Sequence, residues 1–365
     1  MSSSKPQNVR LSRLSQQMAS NRLDGLLVTQ MASIRYLCGF TGSAGVLAVA
    51  GKHARLFTDG RYTQQAREEV AGAQISIVKQ SALTAAAQWL FERAERIGFD
   101  DANLTVRQLQ ALKKQQKSSD ARKAKLVATE DIVARLREKK DNSEIEKIAA
   151  AVNLGSSLFP TALAAIRPGV AEVEVAGALE YAARRAGAEG MSFDTIVASG
   201  QRSALPHGSA SSFRIPPSGF VVLDFGVILA GYCSDMTRTV SVGKASGKMS
   251  SMYEAVLEAQ LAGIASVRAG VPAGQVDAAA RSVLQRTKLA QYFTHSTGHG
   301  VGLEIHESPR IAKGQPQLLE EGMVITIEPG IYVPGDGGIR IEDMVVVTAT
   351  GCRVLTPTEK QLIEI

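Results

Sequence analysis

The chain has 365 residues, of which 45% are hydrophobic and 21% charged, and its formal net charge is +6. Because the sequence contains no run of about 18 or more apolar residues, its composition predicts a soluble globular protein that neither spans nor binds a membrane. A chain of this length is expected to form two domains.

The N-terminal segment and the cysteines both predict a cytoplasmic location. The first ten residues, MSSSKPQNVR, lack the apolar core of a secretory signal peptide. Cys38, Cys233 and Cys352 are odd in number and do not follow the spacing of metal ligands. Reduced thiols are therefore expected.

Strand and helix patterns alternate along the first third of the chain. Apolar residues recur at helical spacing in residues 9–23. Further helices are predicted over residues 62–70 and 83–97, and strands over residues 24–29, 45–50, 54–58 and 74–79. This alternation predicts an α/β N-terminal domain, which we assign to residues 1–127.

Basic residues cluster near the end of this domain. They are Arg107, Lys113, Lys114, Lys117, Arg122, Lys123 and Lys125, with Asp120 as the opposing charge. A nucleic-acid partner is one explanation of such a cluster. Because no aromatic residues or nucleic-acid motif accompany it, a solvated helical face is the better interpretation, and no nucleic acid is expected as a partner.

Residues 128–365 are predicted to be α+β, with helices followed by strands in two successive rounds. Thr129, Glu130 and Asp131 are a plausible helix start, and Asp141 with Glu144 is a second one. Later helices are predicted over residues 173–186, 250–269 and 273–287, and strands over residues 195–198, 219–227, 233–242, 323–328 and 339–348.

The segment FVVLDFGVILAGYCSDMTRTV, residues 220–240, is predicted to form a hairpin with one carboxylate in each strand. If the hairpin closes about Leu229 and Ala230, Asp224 lies opposite Asp235, with their Cβ atoms about 5 Å apart. Two such carboxylates in an apolar sheet repel each other unless a cation or a proton lies between them. The hairpin therefore predicts a metal site.

Three residues further along could complete that site: His299, Glu328 and Glu342. The period of two places Glu328 on one strand face with Thr326, and Glu342 on one face with Arg340. Four carboxylates and one imidazole suit two divalent ions, with manganese favoured over cobalt or zinc.

Each of these residues alone has a more ordinary explanation as a turn residue or a loop hydrogen-bonding group. His295 and His299 are not a helical zinc pair, because no Glu follows His295 and glycines 298, 300 and 302 disfavour a helix. The same glycines do not fit a phosphate-binding loop, and close backbone approach to a metal and substrate explains them better.

Five segments, taken in order, resemble the motifs of the metallopeptidase clan that includes methionine aminopeptidase, aminopeptidase P and prolidase. They are LPHG, LDFG with SDMTRT, HSTGHGVGLEIHESP, ITIEPGIY and GIRIEDMVVVT. The resemblance implies a C-terminal pita-bread (creatinase/aminopeptidase) catalytic domain over residues 128–365, whose two rounds of elements form a pseudo-repeat. It also implies five metal ligands, namely Asp224, Asp235, His299, Glu328 and Glu342, of which Asp235 and Glu342 bridge both ions.

Two features are similar to the proline-specific branch of this clan. One is HESP, residues 306–309, and the other is the pair of segments FTGSAGVLAVAG and FTDGRYTQQA, which look like the N-terminal domain of aminopeptidase P. We therefore expect an Xaa-Pro aminopeptidase that acts on peptides with proline in the second position. Prolidase, an Xaa-Pro dipeptidase, is the alternative, and a metal-free binding module of the same fold is a remote one.

The resemblance also implies roles for residues around the metals. Glu328 would carry a proton from the activated water to the leaving nitrogen, and His306 would hydrogen-bond the tetrahedral oxyanion. His207 and His295 would line the proline side of the scissile bond, and Arg340 would orient Asp235 or its neighbours. His295, His306 and Glu328 are thus the predicted catalytic residues, His207, His295, His306 and Arg340 the substrate-binding ones, and a homodimer is expected.

Overall fold

The computed structural model describes residues 6–118, 124–130 and 132–365. The chain forms two compact units, which divide between Arg137 and Glu138. The division predicted from the sequence lies after residue 127. The first unit extends further because residues 125–129 add an edge strand to its sheet. The predicted helix start at Asp131 and the charges of Asp120, Arg122 and Lys123 lie outside the described residues.

The first unit is built on one mixed sheet. Its strands are β1 (Gly25–Val28), β2 (Val46–Ala50), β3 (His53–Thr58), β4 (Gln74–Ile77), β5 (Arg96–Asp100) and β6 (Lys125–Thr129). They lie in the order β4-β3-β2-β1-β5-β6. The β1–β5, β3–β4 and β5–β6 pairs are parallel, and the β1–β2 and β2–β3 pairs are antiparallel.

Helices connect these strands, as the alternating pattern predicted. They are α1 (Pro6–Ser20), α2 (Met31–Cys38), α3 (Thr63–Glu69), α4 (Ala82–Phe91), α5 (Val106–Ser118) and α6 (Ile132–Glu138). Helix α2 and strands β5 and β6 were not predicted, and the helix predicted over residues 83–97 ends at Phe91. Residues 96–100 pair with both β1 and β6, so sheet hydrogen bonds override their helical spacing. Arg107, Lys113, Lys114 and Lys117 lie exposed on α5.

The second unit has five helices and only antiparallel strand pairs among its described ladders. The helices are α7 (Asn142–Ser157), α8 (Phe159–Ala165), α9 (Glu172–Arg185), α10 (Gly247–Ser266) and α11 (Ala273–Arg286). The first group of strands is β7 (Gly190–Met191), β8 (Ile196–Ser199), β9 (Gly219–Phe225), β10 (Val227–Leu229), β11 (Tyr232–Cys233) and β12 (Met236–Val242). The second group is β13 (Gly298–Gly300), β14 (Glu307–Ile311), β15 (Val324–Ile327), β16 (Gly330–Val333), β17 (Gly337–Arg340), β18 (Asp343–Val347) and β19 (Cys352–Val354).

These strands form four small sheets, with the orders β11-β10-β7, β12-β9-β8, β14-β13-β15-β18-β19 and β16-β17. The two predicted rounds of helices and strands are visible in their connections. Gly169 and Gly270 both have positive φ, 85° and 82°, and each is followed by a valine and then by α9 or α11. Residues at the two helix starts each form a bridge to a later segment, Ala171 to Arg214 and Pro272 to Leu318.

One stretch, residues 142–165, is long and apolar enough to cross a membrane by length and composition alone. In the structure it is two helices, α7 and α8, which meet at Leu158. Ile148, Val152 and Phe159 are buried in the apolar clusters of the second unit. Core helices of globular units commonly satisfy the same length and composition test, so the stretch is weak evidence for a membrane span.

Candidate metal centre

A cavity of about 700 Å³ lies within the second unit. All nine residues singled out from the sequence line it: Asp224, Asp235, His299, Glu328, Glu342, His207, His295, His306 and Arg340. These residues come from strands and loops spread over more than 130 positions of the chain. The fold therefore brings the whole predicted set into one place.

The hairpin places Asp224 and Asp235 on one side of the cavity, but its register differs from the predicted one. Asp224 pairs with Thr237 rather than with Asp235, because the turn consists of Ala230 and Gly231, both with positive φ. Two residues of shift leave every side chain on its predicted face, so Asp235 becomes the diagonal neighbour of Asp224. The prediction of directly opposed carboxylates was wrong, and the prediction of a shared face was right.

Gly226 lets the two strands of this hairpin approach closely beside Asp224. A Cβ at this position would lie 1.8 Å from the carbonyl oxygen of Ser234, which only glycine avoids. The Ser234 hydroxyl instead accepts the N–H of Val227, at 2.9 Å. At this crossing the first strand of the hairpin is interrupted between β9 and β10, and the second strand is interrupted between β11 and β12. Asp235 lies in the second interruption.

Hydrogen bonds from neighbouring strands fix the glutamates. The Glu342 N–H donates to the carbonyl oxygen of Thr237 at 3.1 Å, and the Thr237 hydroxyl donates to Glu342 Oε2 at 2.6 Å. The Glu328 N–H donates to the carbonyl oxygen of Thr297 at 2.8 Å. The Thr326 hydroxyl, on the face shared with Glu328, lies 3.3 Å from its Oε1.

His299 is oriented for metal binding. Its Nδ1 lies 3.0 Å from the carbonyl oxygen of Gly300, which can only accept, so Nδ1 carries the proton. Nε2 then presents a lone pair, 3.6 Å from Asp235 Oδ2 and 3.5 Å from Glu328 Oε1. Burial lowers the pKa of His299, which keeps the ring neutral. Ligand atoms of Asp235, His299 and Glu342 all lie within 4.8 Å of one another.

The carboxylates lack enough positive charge among the described residues. Asp224 Oδ1 and Glu342 Oε1 are buried without a hydrogen-bond partner, an arrangement that is costly for a carboxylate oxygen. Burial raises the pKa of Asp235 well above its usual value, and the charges of Glu342, Asp224 and Glu328 raise it further. These residues therefore fit divalent cations, which would take up the unpaired oxygens.

The pKa values of the two glutamates shift in the same direction as that of Asp235. Burial raises the pKa of Glu342 well above its usual value, with further contributions from Glu328 and Asp224. Burial raises the pKa of Glu328 to about 7, although the charge of Arg340 opposes this shift. Without a metal, the cluster would have to hold protons to reduce its own repulsion.

Arg340 orients Asp224, the diagonal neighbour of Asp235, in agreement with the expectation that it orients Asp235 or its neighbours. Its Nη2 donates to Asp224 Oδ2 at 2.5 Å, and its Nε donates to the Thr237 hydroxyl at 3.2 Å. Nη1 donates to the carbonyl oxygen of Pro206 at 3.1 Å and to the hydroxyl of Tyr332. The guanidinium thus links a predicted ligand to the loop that carries His207.

Tyr332 is a site residue that sequence reasoning missed. Its hydroxyl lies 2.8 Å from His295 Nε2 and accepts from Arg340. The residue stood at the end of the quoted motif ITIEPGIY, but a tyrosine in an alternating strand gives no signal of a particular partner. Burial raises the pKa of Tyr332 to about 12, so its hydroxyl keeps a proton to donate.

Two cavity histidines outside the predicted ligand set, His295 and His306, differ in their surroundings. His295 Nδ1 lies 2.8 Å from the carbonyl oxygen of Ser296, so Nδ1 donates and Nε2 accepts from Tyr332. Burial and then the charge of Arg340 lower the pKa of His295 to about 4. His306 is exposed at the cavity surface, with its ring centroid 4.4 Å from that of His299. Burial lowers its pKa as well.

Glycines 298, 300 and 302 do permit close approach, but by the protein itself. A Cβ on Gly298 would lie 2.0 Å from the carbonyl oxygen of Thr326, and one on Gly302 would lie 2.6 Å from the Glu307 carboxylate. Packing of β13 between its neighbouring strands, and of the following loop against Glu307, requires these glycines, and the approach of a metal and substrate stays a prediction.

Comparisons with known proteins match both units. The model of metallopeptidase family M24 matches residues 146–349, and that of the creatinase/prolidase N-terminal domain matches residues 10–139. The Xaa-Pro dipeptidase of Pyrococcus horikoshii is 37% identical over 357 residues, which cover 98% of this chain and 99% of the relative.

Solved structures show the same similarity. That of an Xaa-Pro dipeptidase from Bacillus anthracis has a TM-score of 0.93 at 42% identity and covers 98% of this chain and 100% of its own. That of an X-Pro aminopeptidase from Thermotoga maritima has a TM-score of 0.87 at 35% identity and covers 96% of this chain and 100% of its own.

We predict that Asp235→Asn and Glu342→Gln each abolish metal-dependent activity by weakening metal binding rather than by unfolding the protein. Each change removes one negative charge from a repelling cluster, so the metal-free variants should be at least as stable as the metal-free wild type at neutral pH. Metal content by elemental analysis and urea unfolding measure the two effects. Glu258→Gln, an exposed change on α10, is the matched control. Wild-type metal content in either inactive variant would contradict the ligand assignment.

We predict that the metal-free protein loses stability as the pH rises above about 6.5. Asp235, Glu328 and Glu342 have raised pKa values when folded and hold protons that the unfolded chain releases, so stability falls toward their folded pKa values. Below about pH 6.5 the lowered pKa values of His295, His299 and His306 instead make stability rise with pH. For each proton that the folded protein retains, the free energy of unfolding should fall by up to about 1.4 kcal/mol per pH unit.

Urea midpoints between about pH 6.5 and pH 8, in chelator and in excess manganese, measure this slope. Added metal should reverse it, because metal and protons compete for the same carboxylates. A metal-free midpoint that stays constant or rises over this range would contradict the prediction.

Proposed function

The chain belongs to metallopeptidase family M24, and we propose that it hydrolyses Xaa-Pro dipeptides. Sequence analysis favoured an Xaa-Pro aminopeptidase, with the dipeptidase as the alternative. Two relatives aligned over at least 97% of this chain, each 37% identical, are Xaa-Pro dipeptidases, and this similarity favours the alternative. The aminopeptidase remains the second candidate because of the similarity to the Thermotoga maritima enzyme.

We propose that Asp224, Asp235, His299, Glu328 and Glu342 hold two divalent ions, with manganese expected before cobalt or zinc. The two unpaired carboxylate oxygens and the lone pair of His299 Nε2 support this assignment. Bound there, the ions would lower the pKa of a water molecule and polarise the scissile carbonyl.

Two contacts of Glu328 support a role in proton transfer. Its carboxylate is fixed by the Thr326 hydroxyl and lies 3.5 Å from His299 Nε2. We propose that it accepts the proton of the attacking water and passes it to the proline nitrogen as the C–N bond breaks. His306, exposed at the cavity surface beside His299, would donate a hydrogen bond to the developing oxyanion.

The position of Arg310 is the observation that supports dipeptides as the preferred substrates. This residue lies exposed in the cavity wall, and its side chain has no ion pair with any described residue. Arg310 is paired with His299 across β13 and β14, so their side chains share one sheet face about 5 Å apart at Cβ. The carboxylate of an Xaa-Pro dipeptide lies two bonds from the scissile nitrogen. A guanidinium beside the metal ligands suits such a carboxylate.

We predict that manganese-loaded protein cleaves an Xaa-Pro dipeptide faster than an Xaa-Pro-Yaa tripeptide, and that Arg310→Met removes most of this preference. A charge-assisted hydrogen bond contributes about 1.5–3 kcal/mol, so KM for the dipeptide should rise by about 10- to 100-fold. The tripeptide, whose carboxylate lies elsewhere, should change little. Steady-state kinetics on both peptides and on an Xaa-Ala control measure the effect.

Arg353→Met is the matched control, because Arg353 is an exposed arginine on β19 of the same sheet. It should leave both peptides unaffected. Faster cleavage of the tripeptide by wild-type protein would make the aminopeptidase the better assignment. Equal loss on both peptides in Arg310→Met would show that Arg310 does not read the free carboxylate.

The family resemblance also leads us to propose a cytoplasmic homodimer. Size-exclusion chromatography with light scattering measures its mass in solution. A monomer with full peptidase activity would contradict the proposed dimer without affecting the assignment of the metal ligands.

A further inference from the structure

Arg281 and Asp277 form an ion pair on α11 that does not line the cavity but contacts the segment leading to β13. Asp277 is fully buried, at 0% exposure. Arg281 follows it by one helical turn, with Nε 2.7 Å from Asp277 Oδ2 and Nη2 3.1 Å from Oδ1. This paired geometry fixes the plane of the guanidinium.

The pair holds residues on both sides of His295. Arg281 Nη1 donates to the carbonyl oxygen of Phe293 at 3.0 Å, and Nη2 donates to that of His295 itself at 2.5 Å. The guanidinium also lies over the Phe293 ring, 4.1 Å from its centroid. From the other side, the Thr297 hydroxyl donates to Asp277 Oδ1 at 2.7 Å. Two side chains of one helix therefore fix three residues of this segment.

The His295 ring depends on the backbone held in this way. It packs edge-on against Phe293, with centroids 5.1 Å apart, and its Nε2 accepts from Tyr332. Tyr332 in turn accepts from Arg340, which holds Asp224. A shift of the segment would move the ring out of this chain of hydrogen bonds and change the cavity wall.

An exposed ion pair between α11 and α10 provides a comparison. Arg286 pairs with Glu258 at 2.7 Å, but their side chains are 62% and 60% exposed, and such pairs contribute little. Asp277 is buried and Arg281 is 22% exposed, and an ion pair with a buried member gives no general stability advantage over apolar residues. What it supplies here is directed hydrogen bonds to two backbone carbonyls, which an apolar pair could not make.

We propose that Arg281 is a positioning residue of the peptidase site, which acts by fixing the backbone and ring of His295 in the cavity wall. The inference rests on the proposed peptidase function. Its mechanism is geometric: the guanidinium bonds to the carbonyls of residues 293 and 295 and is itself held by Asp277. Arg281 touches neither the predicted metal ligands nor the cavity.

Arg281→Met should lower kcat/KM for an Xaa-Pro dipeptide by about 10- to 100-fold, as loss of a supporting contact commonly does. Because His295 lines the wall where substrate binds, most of this loss should be a rise in KM. Metal content should stay at the wild-type level. Arg281→Lys, which keeps one charged donor, should restore part of the loss, and Arg286→Met, the same change on the exposed face of α11, should have no effect.

A double-mutant cycle with His295→Ala tests the route of action. If Arg281 acts through His295, Arg281→Met should cost less than about threefold in the His295→Ala background. An equal loss in both backgrounds, or a folded Arg281→Met enzyme with wild-type kcat and KM, would overturn the proposal. If Arg281→Met does not fold, Thr297→Val replaces it in the cycle with the same criteria. A wild-type protein without peptidase activity would instead overturn the proposed function.

Discussion

Mutual repulsion among four carboxylates in one cavity is the constraint on which the second unit depends. Asp224, Asp235 and Glu342 are at least 92% buried, and Glu328 lies beside them. Arg340 pairs with Asp224 and leaves other oxygens unsatisfied. A fold that brings such groups together is stable only if packing elsewhere outweighs the repulsion or if cations neutralise it. The antiparallel strands contribute to that packing, because their apolar residues form buried clusters with the helices of the unit.

A buried carboxylate that bonds to one cationic side chain lies beside each of three cavity histidines, His207, His295 and His306. Glu172 accepts from Ser199, Ser211 and Arg202 around the loop that carries His207. Asp277, which is bonded to Arg281, has the same role beside His295. Glu307 accepts from the Glu304 N–H and pairs with the buried Lys140, next to His306. These bonds tie the loops to helices and strands of the unit, which limits movement of the cavity walls.

Much of this site could be predicted from the sequence, because strand periodicity fixes faces even where the register is wrong. Asp224 and Asp235 kept their common face after a two-residue shift of the hairpin. The motifs quoted around His299, Glu328 and Glu342 led to the family and fold that the comparisons confirm. Partners across the chain could not be predicted in this way. Arg340 bonds to Asp224, and Arg281 to the segment of His295, through contacts that no local pattern records.

The choice between dipeptidase and aminopeptidase shows where local patterns reach their limit. The motif HESP drew attention to His306. Arg310, the first residue after this motif, is relevant to substrate length only through its position opposite His299. An exposed arginine has no distinctive sequence signal, and its meaning comes from the β13–β14 register and from the lack of an ion pair among the described residues. Under the proposed function, a cation beside the predicted metal ligands would favour a substrate whose carboxylate directly follows the scissile bond, and it would give no such advantage to a longer peptide.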